Sequence, residues 1–461
     1  MTWVKAILAR NASAVEQALA QGVDVNEIDP YGFTPLEEAA IVNDEHIGAL
    51  LLSHGADPRQ VDLVGGTALH WAVENSNEAF CRLLLERGAD ANAYNRVSEP
   101  VLVKPLLRGE QKIRDLLYEF GAKSRFAWDY VNLKLLGHRY DLRGEVDIVD
   151  THGEFTELGL EGFFFEFSLN ALAHSLISYR DNFAARRLGE AYAWYDRCIE
   201  AMSGAAELMR YQQYQIPRDR FQSHIDTLLN AEWLIIPVNF EGHAITFIRY
   251  RNMWVRLDRR KEADDLNGVV FFTIRNPKAL TPVLLNFLIY EKKTGQFLET
   301  ELVQQLDLQY RGRLLLPPQV AGNCSWANTV ACLPVFLFLG QGGFSSDEEI
   351  IDWDHPSLAL FRAWEAWDRN RALHYVMDEF TRETDPARRA SLIAALGMVF
   401  FQRMDHRRTE DLEQAKRVHQ LLKTPGYEYV LAHYLEAYSR RKLTPAGAHL
   451  KALIAACESF Y

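Results

Sequence analysis

Four glycines set the first constraint. Gly22, Gly55, Gly88 and Gly121 follow one another at intervals of 33 residues, in the contexts GVDVN, GADP, GADAN and GAKS. A glycine that recurs after an apolar helical stretch closes that helix in the left-handed conformation that glycine adopts cheaply. Between them, Thr34-Pro35-Leu36-Glu37-Glu38-Ala39 and Thr67-Ala68-Leu69-His70-Trp71-Ala72 stand at the same interval, followed by IGALLLSHG and FCRLLLERG. A period of this length means a stack of like units, because each unit is too small to bury its apolar face alone and its neighbours bury it. The first quarter of the chain is therefore held to a quasi-one-dimensional pile of helix pairs. The first unit lacks the Thr-led start and the fourth replaces it with EPVLVKPLLRGE. Terminal units present a polar outer face, so degeneracy at both ends is expected.

These residues are identified as four ankyrin repeats over 1–125, an all-α solenoid. The resemblance implies a concave face and finger loops that bind protein. His70 occupies the histidine position of the signature and is expected to hydrogen-bond within its turn. A stack of small repeats offers no pocket for chemistry.

The chain has 461 residues, which suits two to four domains. Its net charge of -12 and pI near 5.7, with no basic block interleaved with aromatics, disfavour direct nucleic-acid binding. The five cysteines (Cys81, Cys198, Cys324, Cys332, Cys457) are scattered, odd in number and without CxxC spacing. That suits a reducing compartment and argues against a disulfide framework or a zinc site. The N-terminal apolar run is too short for a cleaved leader, and Ala331–Gly340 is too short to span a bilayer. No membrane insertion, cofactor or metal is expected.

A second unit, 126–344, reads as α+β. GHRYDLRGEVDIV alternates up to a turn at Thr151-His152-Gly153, and GFFFEFSLNALAHSLISY, of ambiguous period, reads as a strand running into a buried helix. Asp181–Ser203 and Phe221–Leu229 have helical spacing. The period then changes to two over Ala231–Phe240, Gly242–Tyr250, Trp254–Asp258 and Val269–Ile274, which predicts successive strands. With a turn at Arg251-Asn252, Ile245 faces Asp258 and His243 lies diagonally beside it. With a turn centred between Tyr250 and Arg251, His243 faces Asp258 directly. Either register puts imidazole and carboxylate on one face. Further on, PPQVAGNCSWANTVACL leaves an apolar segment, crosses a turn and enters a helix, placing Cys324 at a helix start where a thiolate is favoured. The residues point to Cys324 as nucleophile, His243 as base, Asp258 as its orienter, and the Gln319 amide with the Cys324 N–H as oxyanion donors. Asp264 and Asp265 are alternative acids, and Asn239 is an outside candidate near His243.

The order His243, Asp258, Gln319, Cys324 resembles the cysteine proteases of the Ulp and adenain type, permuted relatives of papain that cleave ubiquitin-like modifiers. That family carries its Gln six residues before the Cys, then Asp-Cys-Gly. Here the spacing is five, with Asn323 and Ser325 around the cysteine. NCSWAN is also similar to the papain helix start, with Ser325 intervening before Trp326. The resemblance implies a papain-like fold and thiol hydrolysis of a protein or isopeptide bond, or acyl transfer by the same residues. Ankyrin repeats ahead of such a domain resemble the effectors that Legionella delivers into host cells by type IV secretion. That implies a host protein bound by the repeats and a site of action in host cytoplasm or nucleus. The alternative is a non-catalytic scaffold that sequesters a host protein.

The tail, 345–461, reads as an α-helical C-terminal domain, with Ser345/Glu348, Asp385-Pro386 and Thr409 as helix starts. His406, His419, His433 and His449 show no paired metal spacing.

Overall fold

The computed structural model describes residues 3–162, 164–186, 188–211, 218–260, 268–319, 322–344, 349–439 and 444–459. The chain forms two compact units. One joins Met1–Ala122 to Gly162–Ala366, the other Lys123–Glu161 to Trp367–Tyr461.

The repeats open the first unit as helix pairs Val4–Leu8 with Ala12–Ala20, Pro35–Ile41 with Glu45–Ser53, Ala68–Glu74 with Glu78–Glu86, and Val103–Arg108 with Gln111–Glu119. The periodic glycines all take positive φ, from 80° to 98°. The start of each inner pair is built by a side chain that reaches back along the chain. Thr34 Oγ1 accepts from the Glu37 N–H, and Glu37 accepts from the Thr34 N–H at 2.7 Å. At the equivalent place in the next repeat, His70 Nδ1 accepts from the Thr67 N–H at 3.1 Å. His70 is thus a turn-forming residue, as expected of the signature. Between the repeats the fingers are tied by Asx turns at Asp29, Asp62 and Asn95, each accepting backbone N–H groups two and four residues on.

Eight strands lie among the described residues. β1 (Glu145–Val149) and β2 (Phe155–Gly159) form an antiparallel pair in the second unit. In the first unit β3 (Trp233–Phe240), β4 (His243–Tyr250), β5 (Met253–Asp258), β6 (Gly268–Ile274), β7 (Leu308–Leu314) and β8 (Glu349–Ile351) form a six-stranded sheet in that order. Neighbours are antiparallel except β7 and β8. The β3–β4 turn has two consecutive left-handed residues, Glu241 at φ 46° and Gly242 at φ 78°, which suits the right-handed twist of the strands it joins. The helices Tyr192–Arg210 and Cys324–Val330 pack against β3 and β4. The sheet buries Trp254, Phe247 and Phe271, and the helix Cys332–Gly340 buries Phe336, each less than 3% exposed.

Two segments differ from the sequence reading. Phe165–Arg180 is one helix rather than a strand running into a helix, buried on nearly all sides and so without a clear period. Glu349–Ile351, in a stretch read as helical, is the parallel edge strand β8; three residues are too few for any periodicity to show. Ser345 and Glu348 lie outside the described residues. The second unit is helical apart from β1 and β2, running through Ser124–Arg139 and from Pro386–Arg403 to Pro445–Glu458. Its buried Arg388 is shared by Asp129, Glu379 and Glu383.

Within the first unit, the last repeats are fastened to the α+β part by charge. Arg108, 2% exposed, donates to Glu166 at 2.7 and 2.9 Å, and to the Glu74 carboxylate and carbonyl at 2.9 and 2.8 Å. Arg210 meets Glu110 and Ser76 at 3.0 and 3.1 Å. Arg108→Met takes the guanidinium from the buried Glu166 and leaves the buried Glu74 to Lys104 alone. The expected loss is about 3–5 kcal/mol, read as a lower urea midpoint for the first unit, whereas Arg82→Met on the exposed Glu119 pair leaves the midpoint unchanged.

Candidate active site

Three segments meet at Cys324. His243 is the first residue of β4, Asp258 the last of β5, and Cys324 the first of its helix. Thr246 pairs with Leu257 and Tyr250 with Met253, so the β4–β5 turn is Arg251-Asn252, with Arg251 at φ 53°. This is the diagonal register of the two weighed from sequence. His243 Nε2 donates to Asp258 Oδ1 at 3.1 Å. The other ring nitrogen remains for the thiol, with which His243 also interacts.

A buried carboxylate needs compensation, and Asp258 is fully buried. Arg256 donates to Oδ2 at 3.0 Å and Arg260 at 2.9 Å. Burial alone would raise its pKa. The His243 and Arg260 hydrogen bonds and the charge of Arg256 instead hold it far below the usual carboxylate range. Glu299 faces both guanidinium groups at 3.4 and 3.7 Å. None of these partners stands in a recognisable motif. The only hint in sequence is that Arg256 shares the alternate-residue face of Asp258.

The ionised Asp258 acts in turn on the imidazole. Burial lowers the His243 pKa, but Asp258 and Cys324 outweigh it and bring it to about 9. For Cys324, burial works against the thiolate. Hydrogen bonds from His243 and the Ala244 backbone overcome it, and the thiol lies below its ordinary value. Burial drives the other four cysteines the opposite way, Cys457 to about 11 and Cys81, Cys198 and Cys332 further.

Asn328 fixes these segments together. It lies one turn after Cys324 and is fully buried. Its amide donates to the Ala244 carbonyl at 2.7 Å and accepts from the Arg259 N–H at 3.0 Å. Those are the residues that follow His243 and Asp258. Arg259 also reaches over the cysteine loop to the Pro317 carbonyl at 2.8 Å and the Ala327 carbonyl at 3.1 Å. Gln319 lies on that loop, its N–H donating to the Arg259 carbonyl at 2.9 Å. Its side-chain oxygen is buried with no hydrogen-bond partner among the described residues. Val320 and Ala321, between Gln319 and the cysteine turn, lie outside them, as do the alternative acids Asp264 and Asp265. Asn239 sits exposed on β3 opposite Ala244, and the His243 Nε2 hydrogen bond goes to Asp258.

The arrangement can hold a thiolate beside an imidazolium. The thiol ionises below its ordinary range, and the imidazolium persists until about pH 9. Iodoacetamide is therefore expected to modify Cys324 ahead of the buried cysteines, with a rate that rises below the ordinary thiol range. Asp258→Asn removes the charge supporting the imidazolium. It is expected to slow alkylation at pH 6 by about tenfold, the effect of a one-unit rise in thiol pKa. An unchanged pH profile in that variant, followed by peptide mass mapping, would count against the coupling.

Comparison with known proteins bears on the whole chain. A family model of ankyrin repeats (3 copies) matches residues 4–95. No curated protein matches the sequence. Among solved structures, the one described as Structure of Legionella Effector AnkH superposes with a TM-score of 0.88 at 36% sequence identity, covering 99% of this chain and 97% of that one. At that identity and coverage, the chain belongs to the same family as the Legionella effector AnkH.

Proposed function

We propose that the chain is a translocated effector whose repeats bind a host protein and whose six-stranded domain is a papain-like cysteine hydrolase acting on a protein or isopeptide bond. The observation that carries the hydrolase reading is where the five thiols sit. Cys324 alone is not buried, and it stands at its helix start beside an imidazole whose Nε2 lies 3.1 Å from the buried Asp258 carboxylate.

The chemistry follows from that geometry. The Cys324 thiolate attacks the scissile carbonyl, forming a C–S bond and placing charge on the carbonyl oxygen. The Cys324 N–H and the Gln319 amide are the donors for that oxyanion. The His243 imidazolium gives its proton to the departing amine, leaving a thioester on Cys324. His243, now neutral, takes a proton from water as the water attacks the thioester; the C–S bond breaks, the acid leaves, and Cys324 is again a thiolate beside the imidazolium. Asp258 remains ionised throughout and keeps the ring in place. An incoming amine or alcohol in place of water would make the same intermediate an acyl donor.

Ubiquitin-like modifiers bearing a C-terminal electrophile, presented as a panel with a non-specific thiol probe, test this reading. Wild type is expected to form an adduct with at least one, and Cys324→Ala and His243→Ala to form none. A wild-type chain that labels with nothing across the pH range would leave the hydrolase reading without support.

A second reading, protein capture without chemistry, draws on the finger loops. Tyr31, Val64 and Val97 recur at the repeat interval and are 78%, 61% and 60% exposed. An apolar row on successive fingers suits a protein partner. Val64→Asp with Val97→Asp is expected to abolish capture of host protein while leaving the melting temperature within a degree or two, the usual result of exposed substitutions. Retention of that capture in Cys324→Ala would separate binding from catalysis.

A further inference from the structure

Two histidines with no pairing in the sequence come together in the second unit. Asp405 and His406 lie in the short stretch between the helices Pro386–Arg403 and Thr409–Leu422, and His449 lies near the start of the helix Pro445–Glu458. One ligand atom from each, all three within 4.8 Å of one another, faces a common point. We infer that Asp405, His406 and His449 form a binding site for a divalent transition-metal ion, with zinc as the best match to two imidazoles and a carboxylate.

Two observations carry the assignment. First, His406 Nδ1 is buried with no hydrogen-bond partner among the described residues, 3.8 Å from Asp405 Oδ1. A buried ring nitrogen left so is a polar atom awaiting a ligand. In a tetrahedral zinc site, with bonds near 2.0–2.1 Å, ligand atoms stand about 3.4 Å apart, so the three would draw in from separations of up to 4.8 Å. Second, the His449 ring is already anchored, Nε2 lying 3.0 Å from the Met404 carbonyl. Hydrogen bonding to a backbone carbonyl is how metal-binding imidazoles are commonly oriented.

Arg407 is the competitor. Its guanidinium meets Asp405 at 2.6 to 3.1 Å, but the arginine side chain is 73% exposed. An ion pair on an exposed surface is weak and screened by salt, so a dication with two imidazoles behind it displaces the guanidinium. Bound there, the ion would clip the 404–408 stretch to the last helix, and its binding free energy would add to the stability of that unit. Magnesium and calcium, which take oxygen ligands, are poor matches.

Equilibrium dialysis of the metal-stripped full chain against zinc, with magnesium as control, tests the site. The measurement is made in a Cys324→Ala background, so that the thiol cannot bind the metal. The expected result is one zinc per chain, no magnesium, and a melting temperature raised by zinc. His406→Ala and His449→Ala are each expected to weaken zinc binding by about tenfold or more, while their metal-free forms melt with the metal-free parent. Arg407→Ala, which releases Asp405, is expected to bind more tightly. Failure of the parent to take up zinc at micromolar concentration, or unchanged uptake in both histidine variants, overturns the inference.

Discussion

The amide of Asn328 ties the site together. It sits on the cysteine helix and hydrogen-bonds the backbone beside His243 on β4 and beside Asp258 at the end of β5. Each such bond contributes about 1 kcal/mol net, yet leaving either backbone group buried without its partner costs about 1–3 kcal/mol. The asymmetry means that the helix cannot slide along the sheet without a penalty out of proportion to what the bonds contribute. Cys324, one turn earlier on the same helix, inherits that position. Cys324, His243 and Asp258 come from three segments far apart in sequence, and Asn328, with Arg259 beside it, holds their backbones in register.

Charge then does what geometry alone would not. A fully buried carboxylate is tolerated only because two guanidinium groups and an imidazole surround it. That leaves an excess of positive charge, which Glu299 takes up from the solvent side, 38% exposed. The repeats apply the same rule with different residues. Glu37 and His70 occupy equivalent places and do the same job. Burial pushes Glu37 up to about 8 and pulls His70 down to about 3. Both shifts run toward the neutral form, and a neutral imidazole has the lone pair that the Thr67 N–H requires. At His70 burial selects the form its hydrogen bond needs; at Glu37 the Thr34 N–H bond favours the carboxylate and burial outweighs it.

The sequence displayed some of this plainly. Fixed spacing revealed the repeats because Gly22, Gly55, Gly88 and Gly121 each serve a backbone angle that few other residues tolerate. Period-two alternation put His243 and Asp258 on one face, and the turn settled which register holds. What stayed hidden depends on distance through space rather than along the chain. Asn328 looks like any polar residue in a helix. Arg256 and Arg260 look like solvated charges until β5 brings them to a buried carboxylate. β8 is three residues long and exists because β7 offers an edge. His406 lies on the connection between two helices and His449 on the helix Pro445–Glu458, and they meet only when that helix folds back.

Placement of the repeats bears on how a bound partner would meet Cys324. A recruiting module on a flexible linker raises the local concentration of its partner but leaves orientation open, so its benefit falls as the linker lengthens. Here the last repeats share one compact unit with the six-stranded sheet, joined through Arg108, Glu74 and Glu166 at the start of the helix Phe165–Arg180. A buried ion cluster adds little to stability compared with apolar packing, but it admits few alternative alignments, since any shift strands a charge. A protein held by the finger loops would thereby be carried at a fixed position relative to the cysteine helix. Selectivity would then come from which bond of the partner that position reaches, more than from recognition of the residues flanking it.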